Sequence, residues 1–330
     1  MPFRDVVGHV RLIDLLSRSV AGSTLPPSLL FAGPVGVGKH LTAVAVAQSL
    51  NCLKSGTDAC GTCAACTRIA RGVHPDVLFV TPGDNGSIKI EQVLDVVSRA
   101  HYRPFEGRRR VVIIDEADAL TSSAQNALLK TLEEPPSMSV FILVTARPDM
   151  LLPTVLSRCP QLRFRLLSAD EIATALMARG HKEAEARAVA ATADGSLSHA
   201  MQASADEVVE SRDIAQRVLE QAAKQKDPAR RVECAKELLT KPPSGVTERE
   251  QMSAHLRAMS VLLRDVEVLA TGADASALAN PDVRPALERL VPTIEGERGT
   301  SAFAAVDRAL AAITRTVSVK LVADWLVLQL

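Results

Sequence analysis

Two stretches of the chain carry residues whose types and spacing suit phosphate chemistry, and a third suits a metal. The first is GPVGVGK, residues 33–39, followed by His40. Gly33, Gly36 and Gly38 let the backbone curl until its N–H groups face phosphate oxygens, and Lys39 brings positive charge to the outer phosphates. Such a G-x-x-x-x-G-K loop normally closes with Ser or Thr, because a hydroxyl is a hard oxygen ligand for Mg²⁺. Here that position is His40, and neutral imidazole is a poor magnesium ligand. Thr42 cannot stand in, since two residues along a helix it faces elsewhere. The loop is expected to be a weak or vestigial site for ATP or ADP, with His40 a helix-start residue near the phosphates.

The second stretch is RRRVVIIDEADAL, residues 108–120. Val111–Ile114 reads as a buried strand, which places Asp115 and Glu116 at its C-terminal end. An aspartate there holds Mg²⁺ through water, and the adjacent glutamate can polarise an attacking water. The letters DEAD also occur in helicases, but the surrounding sequence fits that reading poorly. SVFILVTARP, from Ser139, reads as another buried strand ending at Thr145. That threonine can sense a γ-phosphate or simply end a strand.

The third is NCLKSGTDACGTCAAC, with Cys52, Cys60, Cys63 and Cys66 in a C-x7-C-x2-C-x2-C pattern. Two-residue spacings let successive thiolates turn back on one ion, and four thiolates suit tetrahedral zinc. A ferredoxin-type cluster would want a further cysteine followed by proline where Ala70 and Arg71 stand. Four protein ligands close the shell, so the zinc (Zn) is expected to be structural. Cys234, on a helical stretch, reads as a core residue.

These groups need elements to hold them. LLFAG, from Leu29, reads as a strand entering the glycine loop, and HLTAVAVAQSL, from His40, as the helix leaving it. Strands alternating with helical stretches imply a parallel sheet covered on both faces. Ser168, with Glu171 three residues on, is a capping-box signal for a helix start. Beyond about residue 208, helical runs are broken by TKPPSG and GADASALANPDV. The 330 residues suffice for two or three domains, and 47% hydrophobic against 23% charged residues marks a folded chain. With 38 basic and 38 acidic residues the formal net charge is zero. That balance gives no long-range pull toward nucleic acid or a membrane and disfavours a stand-alone DNA-binding module. MPFRDVVGHV lacks a basic segment followed by an apolar run, so no secretory signal is expected, and no stretch reaches the roughly 20 apolar residues of a membrane span. A cytoplasmic protein with reduced thiols is expected. Arg99, Arg103 and Arg108–Arg110 gather near one turn, read as a solvated basic turn that can also meet phosphates or an acidic partner.

DVVGH, GPVGVGK, the four cysteines, HPDVLFV, DEADAL, NALLKTLEEPP (Asn126–Pro136) and LLPTVLSRC (Leu151–Cys159) together resemble bacterial DNA polymerase III clamp-loader subunits of the AAA+ class. The resemblance is dense to about Arg165 and looser beyond, where ITRTVSVKLVADWLVLQL is similar to the family's last helix. It implies an α/β N-terminal AAA+ domain with a zinc-binding insertion, then a small helical lid domain and an all-α collar domain. The corresponding boundaries are 1–166 with the zinc module at 52–66, 167–207 and 208–330.

Within the family the chain is most similar to the delta-prime type. Catalytic gamma/tau subunits have Thr after the loop lysine and a longer opening stretch before DVVGQ. Their lid carries G-S-x-R-x-A, whose arginine contacts ATP; here Gly195 and Ser196 are followed by Leu197 and Ser198, with Ser198 in the arginine's place. The family's Ser-Arg-Cys motif is matched by Ser157, Arg158 and Cys159. The resemblance implies that Arg158 reaches as an arginine finger toward ATP held by a neighbour. The implied partners are gamma/tau and delta subunits in a hetero-pentamer, with the sliding clamp and primed DNA reached through the complex. A gamma/tau-like ATPase with its own turnover is the alternative.

Overall fold

The computed structural model describes residues 2–54, 58–83, 85–202, 205–225, 227–240, 242, 246–273, 278–294, 296–313 and 317–330. Parts of the two breaks expected at TKPPSG and GADASALANPDV, and residues 314–316 of the last segment, lie outside them. The chain separates into two compact units: residues 1–167 with 196–198, and residues 168–195 with 199–330.

The first unit is a parallel α/β sheet. Its elements are α1 (Val10–Ala21), β1 (Ser28–Ala32), α2 (Lys39–Asn51), α3 (Ala64–Ala70), β2 (Val77–Val80), α4 (Ile90–Ala100), β3 (Arg110–Ile114), α5 (Ser122–Glu133), β4 (Ser139–Thr145), α6 (Pro153–Leu156) and β5 (Gln161–Arg163). The strand order is β2-β3-β4-β1-β5, and every neighbouring pair is parallel. The central strands are apolar on both faces, as a sheet covered on both sides requires. Val112 and Ile114 of β3 point into one core layer with Phe141 and Leu143 of β4, under α4 and α5. Val111 and Ile113 point into the other with Ile142 and Val144, under α1 and α2. Register pairs Ala32 with Thr145 and Ile114 with Leu143, so β1, β3 and β4 end along one edge.

The opposite end is fastened by Asp76, which is fully buried just before β2. Its carboxylate accepts the backbone N–H groups of Phe105, Glu106 and Gly107 at 2.7–2.9 Å, and the Arg110 guanidinium at 2.7 Å. Burial raises the Asp76 carboxyl, but Arg110 and the three N–H groups outweigh it and hold it down at about 2. The loop packs so closely that a Cβ at Gly107 would lie 2.6 Å from Asn51 Oδ1. The basic turn is thereby pinned, and two of its guanidinium groups bond to main-chain carbonyls, Arg108 to that of Cys52 and Arg109 to that of Ser137.

The second unit is helical among its described residues: α7 (Ala169–Met177), α8 (Glu183–Thr192), α9 (Leu197–Gln202, whose start groups with the first unit), α10 (Ala205–Lys224), α11 (Pro228–Leu238), α12 (Glu248–Ala270), α13 (Arg284–Ile294), α14 (Glu297–Ile313) and α15 (Val319–Gln329). The capping box is formed: Ser168 Oγ accepts from Glu171 N at 3.2 Å, and Ser168 N donates to the Glu171 carboxylate at 2.8 Å. α12 runs through the core, where Leu256, Met259 and Leu262 meet Val218 of α10, Val306 of α14 and Leu326 of α15. Trp325 is half-buried, with the Arg308 guanidinium 5.6 Å from its ring centre. Cys234 is buried in this unit, as expected of a core residue.

Replacing Asp76 with asparagine leaves Arg110 buried without its charge partner. The loss expected is about 3 kcal/mol, read from the urea midpoint. Because folding lowers this carboxyl, its contribution is full above about pH 4 and is lost as pH falls toward about 2. An Asp76→Asn protein as stable as wild type at pH 7 would contradict this role.

Candidate functional site

The phosphate-type loop runs from the end of β1 into α2. Gly36 and Gly38 have φ of 77° and 99°, the left-handed region where glycine is at ease. Lys39 is 7% exposed and donates from Nζ to the Gly33 carbonyl at 2.7 Å and to that of Pro34. Burial lowers the Lys39 ammonium, against the pull of Asp115 and Asp118. Two further groups lean on the loop. His9 of DVVGH, buried, bonds through Nε2 to the Val37 carbonyl at 3.0 Å. Ser198 N donates to the Gly36 carbonyl at 3.2 Å, and a Cβ at Gly36 would meet Ser196 Oγ at 1.9 Å.

β3 delivers Asp115 to the same edge, where His40 Nδ1 lies 2.7 Å from Asp115 Oδ2. An ionised carboxylate only accepts, so Nδ1 carries the proton. Burial raises the Asp115 carboxyl, but the hydrogen bond and charge of His40, the Glu116 N–H and Lys39 together leave it lowered. Glu116 is exposed and holds a left-handed backbone, φ 48°, which costs a non-glycine residue about 1 kcal/mol and is a conformation that concentrates at functional sites. The expected placement of Gly33, Gly36, Gly38, Lys39, His40, Asp115 and Glu116 at one edge of the sheet is therefore observed. Thr42 is fully buried and donates to the Gly38 carbonyl at 2.9 Å, so its hydroxyl is bonded to the loop's own backbone and is not presented at residue 40's position.

Thr145 ends β4, between β1 and β3. Its hydroxyl proton goes to Asp118 Oδ1 at 2.7 Å, and its oxygen accepts from Arg147 N at 3.0 Å. Arg147 Nε donates to the other Asp118 oxygen at 2.9 Å. Burial raises Asp118, and the Thr145 and Arg147 hydrogen bonds more than reverse it. Sequence reasoning missed Asp118 and Arg147. Asp118 was visible as the last letter of DEAD, but nothing in the pattern tied Arg147 to it across 29 residues.

The four cysteines converge. All four Sγ atoms lie within 4.8 Å of one another. Thiolates at about 2.3 Å from a tetrahedral ion stand about 3.8 Å apart, so the set fits one metal with a small contraction. The backbone already treats these sulfurs as acceptors: Cys60 N points to Cys52 Sγ at 3.3 Å, Cys63 N to Cys60 Sγ at 3.3 Å and Cys66 N to Cys63 Sγ at 3.5 Å. Backbone N–H groups of Thr62 and Cys63 bring the Cys60 thiol down to about 5, whereas burial pushes Cys66 up to about 12. A cation is the group that would let the buried thiol ionise beside the others. The knuckle is strapped from outside as well. Phe3 N donates to Asp58 Oδ1 at 2.9 Å, Arg4 reaches the Ala59 and Cys60 carbonyls, and buried Gln48 donates to the Cys66 carbonyl at 2.7 Å.

Arg158 follows α6. It donates to the Thr154 carbonyl at 2.8 Å and to Ser157 Oγ at 3.2 Å, and it pairs with Glu133 of α5. Its side chain is 31% exposed. Cys159 beside it is buried, which raises its thiol to about 11 and leaves it inert.

Residues 8–168 match the family described as "DNA polymerase III, delta subunit". The chain is 38% identical to DNA polymerase III subunit delta' of Bacillus subtilis over 162 residues, 49% of this chain and 49% of that protein. It is 36% identical to DNA polymerase III subunit tau of Salmonella typhimurium over 207 residues, 60% of this chain and 32% of that protein. It thus spans about half or less of these relatives' own length. Among solved structures, a DNA polymerase III gamma subunit-related protein from Thermotoga maritima aligns over 96% of this chain and 97% of its own, at 17% identity and a TM-score of 0.38. The Thermotoga maritima RuvB branch migration motor aligns over 86% and 88%, at 17% identity and 0.42.

Metal analysis of the purified chain is expected to return about one bound ion per molecule. Cys63→Ser and Cys66→Ser should each lose it and unfold at lower urea. Metal-free protein of unchanged stability would remove this site.

Proposed function

We propose, from the premise that residues 8–168 are those of a clamp-loader AAA+ subunit, that the chain is the delta-prime type: it assembles with its partners and leaves ATP hydrolysis to them. The observation that carries this reading is the His40–Asp115 pair. A hydrolysing site needs a hydroxyl and a free aspartate around magnesium. Here residue 40 offers imidazole and takes up an Asp115 oxygen. The serine at 198, where active relatives have a lid arginine, points the same way.

The chain's contribution to catalysis is then Arg158, acting in trans. A guanidinium is always charged and bridges phosphate oxygens, and such trans-acting arginines are worth about 10³–10⁵ in phosphoryl transfer. Its present partner Glu133 does not preclude this. Both groups are partly exposed, and surface pairs of this kind contribute about 1 kcal/mol or less, which a polyphosphate can outcompete.

The rest of the proposal follows from the same resemblance. The cysteine ion is zinc and structural. Residues 1–166 form the nucleotide-binding-like domain, 167–207 the lid and 208–330 the collar that packs with gamma/tau and delta subunits in a hetero-pentamer. Through that complex the chain serves the sliding clamp and primed DNA in the cytoplasm. No helix among the described residues is long and apolar enough to cross a membrane. A second reading, a gamma/tau-like ATPase, is favoured by the retention of Lys39, Asp115 and Glu116 at one sheet edge and by the identity with tau subunits. The His40 contact weighs against it.

Arg158→Ala in a complex reconstituted with partner subunits tests the trans role. Primed DNA should stimulate the ATPase of the altered complex at least about tenfold less, while the complex still elutes as one assembly. Full stimulation by the Arg158→Ala complex would reject the role.

A further inference from the structure

A glycine loop of this kind implies magnesium beside the phosphates, and the residues present do not fit that ion. The position that should offer a hydroxyl offers an imidazole. Asp115, the carboxylate that should hold the ion's waters, accepts His40 Nδ1 at 2.7 Å on Oδ2 and the Glu116 N–H at 3.0 Å on Oδ1. The nearest hydroxyl in sequence, Thr42, is buried and spent on the Gly38 carbonyl. Mg²⁺ at this place would meet an imidazole where it needs a hydroxyl, a poor match of nitrogen donor and hard ion, and its waters would have to share Asp115 with His40 and the Glu116 N–H.

The anion-binding part of the loop is intact by contrast. Gly36 and Gly38 keep the left-handed curl, and Lys39 stands at the base with its ammonium on loop carbonyls it can exchange for phosphate oxygens. The His40 side chain is 44% exposed, and Nε2 has no hydrogen-bond partner among the described residues. Asp115 fixes the ring by its other nitrogen, Nδ1.

We propose that this loop takes a nucleotide phosphate chain without magnesium, with His40, held by Asp115, standing in the place of the cation. The proposal rests on the reading of residues 33–40 as a nucleotide site and goes beyond it in naming the ligand as metal-free ADP or ATP. Such a site holds nucleotide without activating it. No ion bridges the β- and γ-oxygens, so the charge that develops in transfer goes unneutralised.

The test is binding of a fluorescent ADP analogue to the full chain, in excess EDTA and in excess magnesium. Wild type is expected to bind with dissociation constants that agree within about twofold in the two buffers. His40→Thr restores the hydroxyl and frees Asp115, so magnesium should now tighten binding by about tenfold or more. Melting curves of both proteins confirm that each is folded. Wild-type binding that collapses in EDTA would overturn the proposal, as would a His40→Thr protein indifferent to magnesium. Failure to bind in either buffer would also overturn it, while leaving the trans role of Arg158 to stand or fall on the reconstituted complex.

Discussion

The hydrogen bond between His40 and Asp115 ties together two segments 75 residues apart at the most chemically loaded edge of the sheet. It has physical consequences in both directions. For Asp115 it is a reason to stay ionised while partly buried, so the carboxylate can sit beside Lys39 without a metal. For α2 it fixes the first side chain after the loop lysine and so the entry of the helix. A site that hydrolyses ATP needs the same carboxylate free for a cation's waters. In the proposed reading, one side-chain contact keeps the shape of a nucleotide site while it competes with a cation's waters for the carboxylate.

Around that contact the parallel sheet does the positioning. β1, β4 and β3 end side by side, so the glycine loop, the Thr145–Asp118–Arg147 cluster and the Asp115–Glu116 pair fall in a row. The opposite edge is held by Asp76, whose four hydrogen bonds close the turn before β3 onto the start of β2. β3 is therefore fixed at both ends, by a carboxylate that collects backbone donors at its start and by one that takes an imidazole at its finish.

Much of this was legible in the sequence, for a physical reason. Val111–Ile114 and Ser139–Thr145 are runs of β-branched and apolar residues too short for helices, and they form strands at nearly those limits. The glycine spacing and the cysteine spacing are local constraints, so each predicted its own cluster; the Sγ atoms do come together. What was not legible are contacts set by tertiary geometry. His40 read as a helix-start residue with no special part, because nothing in its neighbourhood names Asp115 as its partner. Thr145 reads as a phosphate sensor or a plain strand end, and nothing in its own run names Asp118 as the acceptor of its hydroxyl proton. The HPD of HPDVLFV carried family likeness but not its physical job, which depends on the loop at 105–107 folding back over Asp76. Arg158 was identified through a motif alone, and its pairing with Glu133 follows from α5 and α6 lying against each other.

As proposed, the chain keeps a nucleotide-type loop and sets His40 where a cation would sit. Its central claim is that the isolated polypeptide does not turn over ATP. The direct measurement is steady-state phosphate release by the purified full chain with magnesium, set beside Lys39→Ala prepared identically. The two proteins are expected to release phosphate at the same background rate. Magnesium-dependent turnover by the wild type that vanishes in Lys39→Ala would contradict the account.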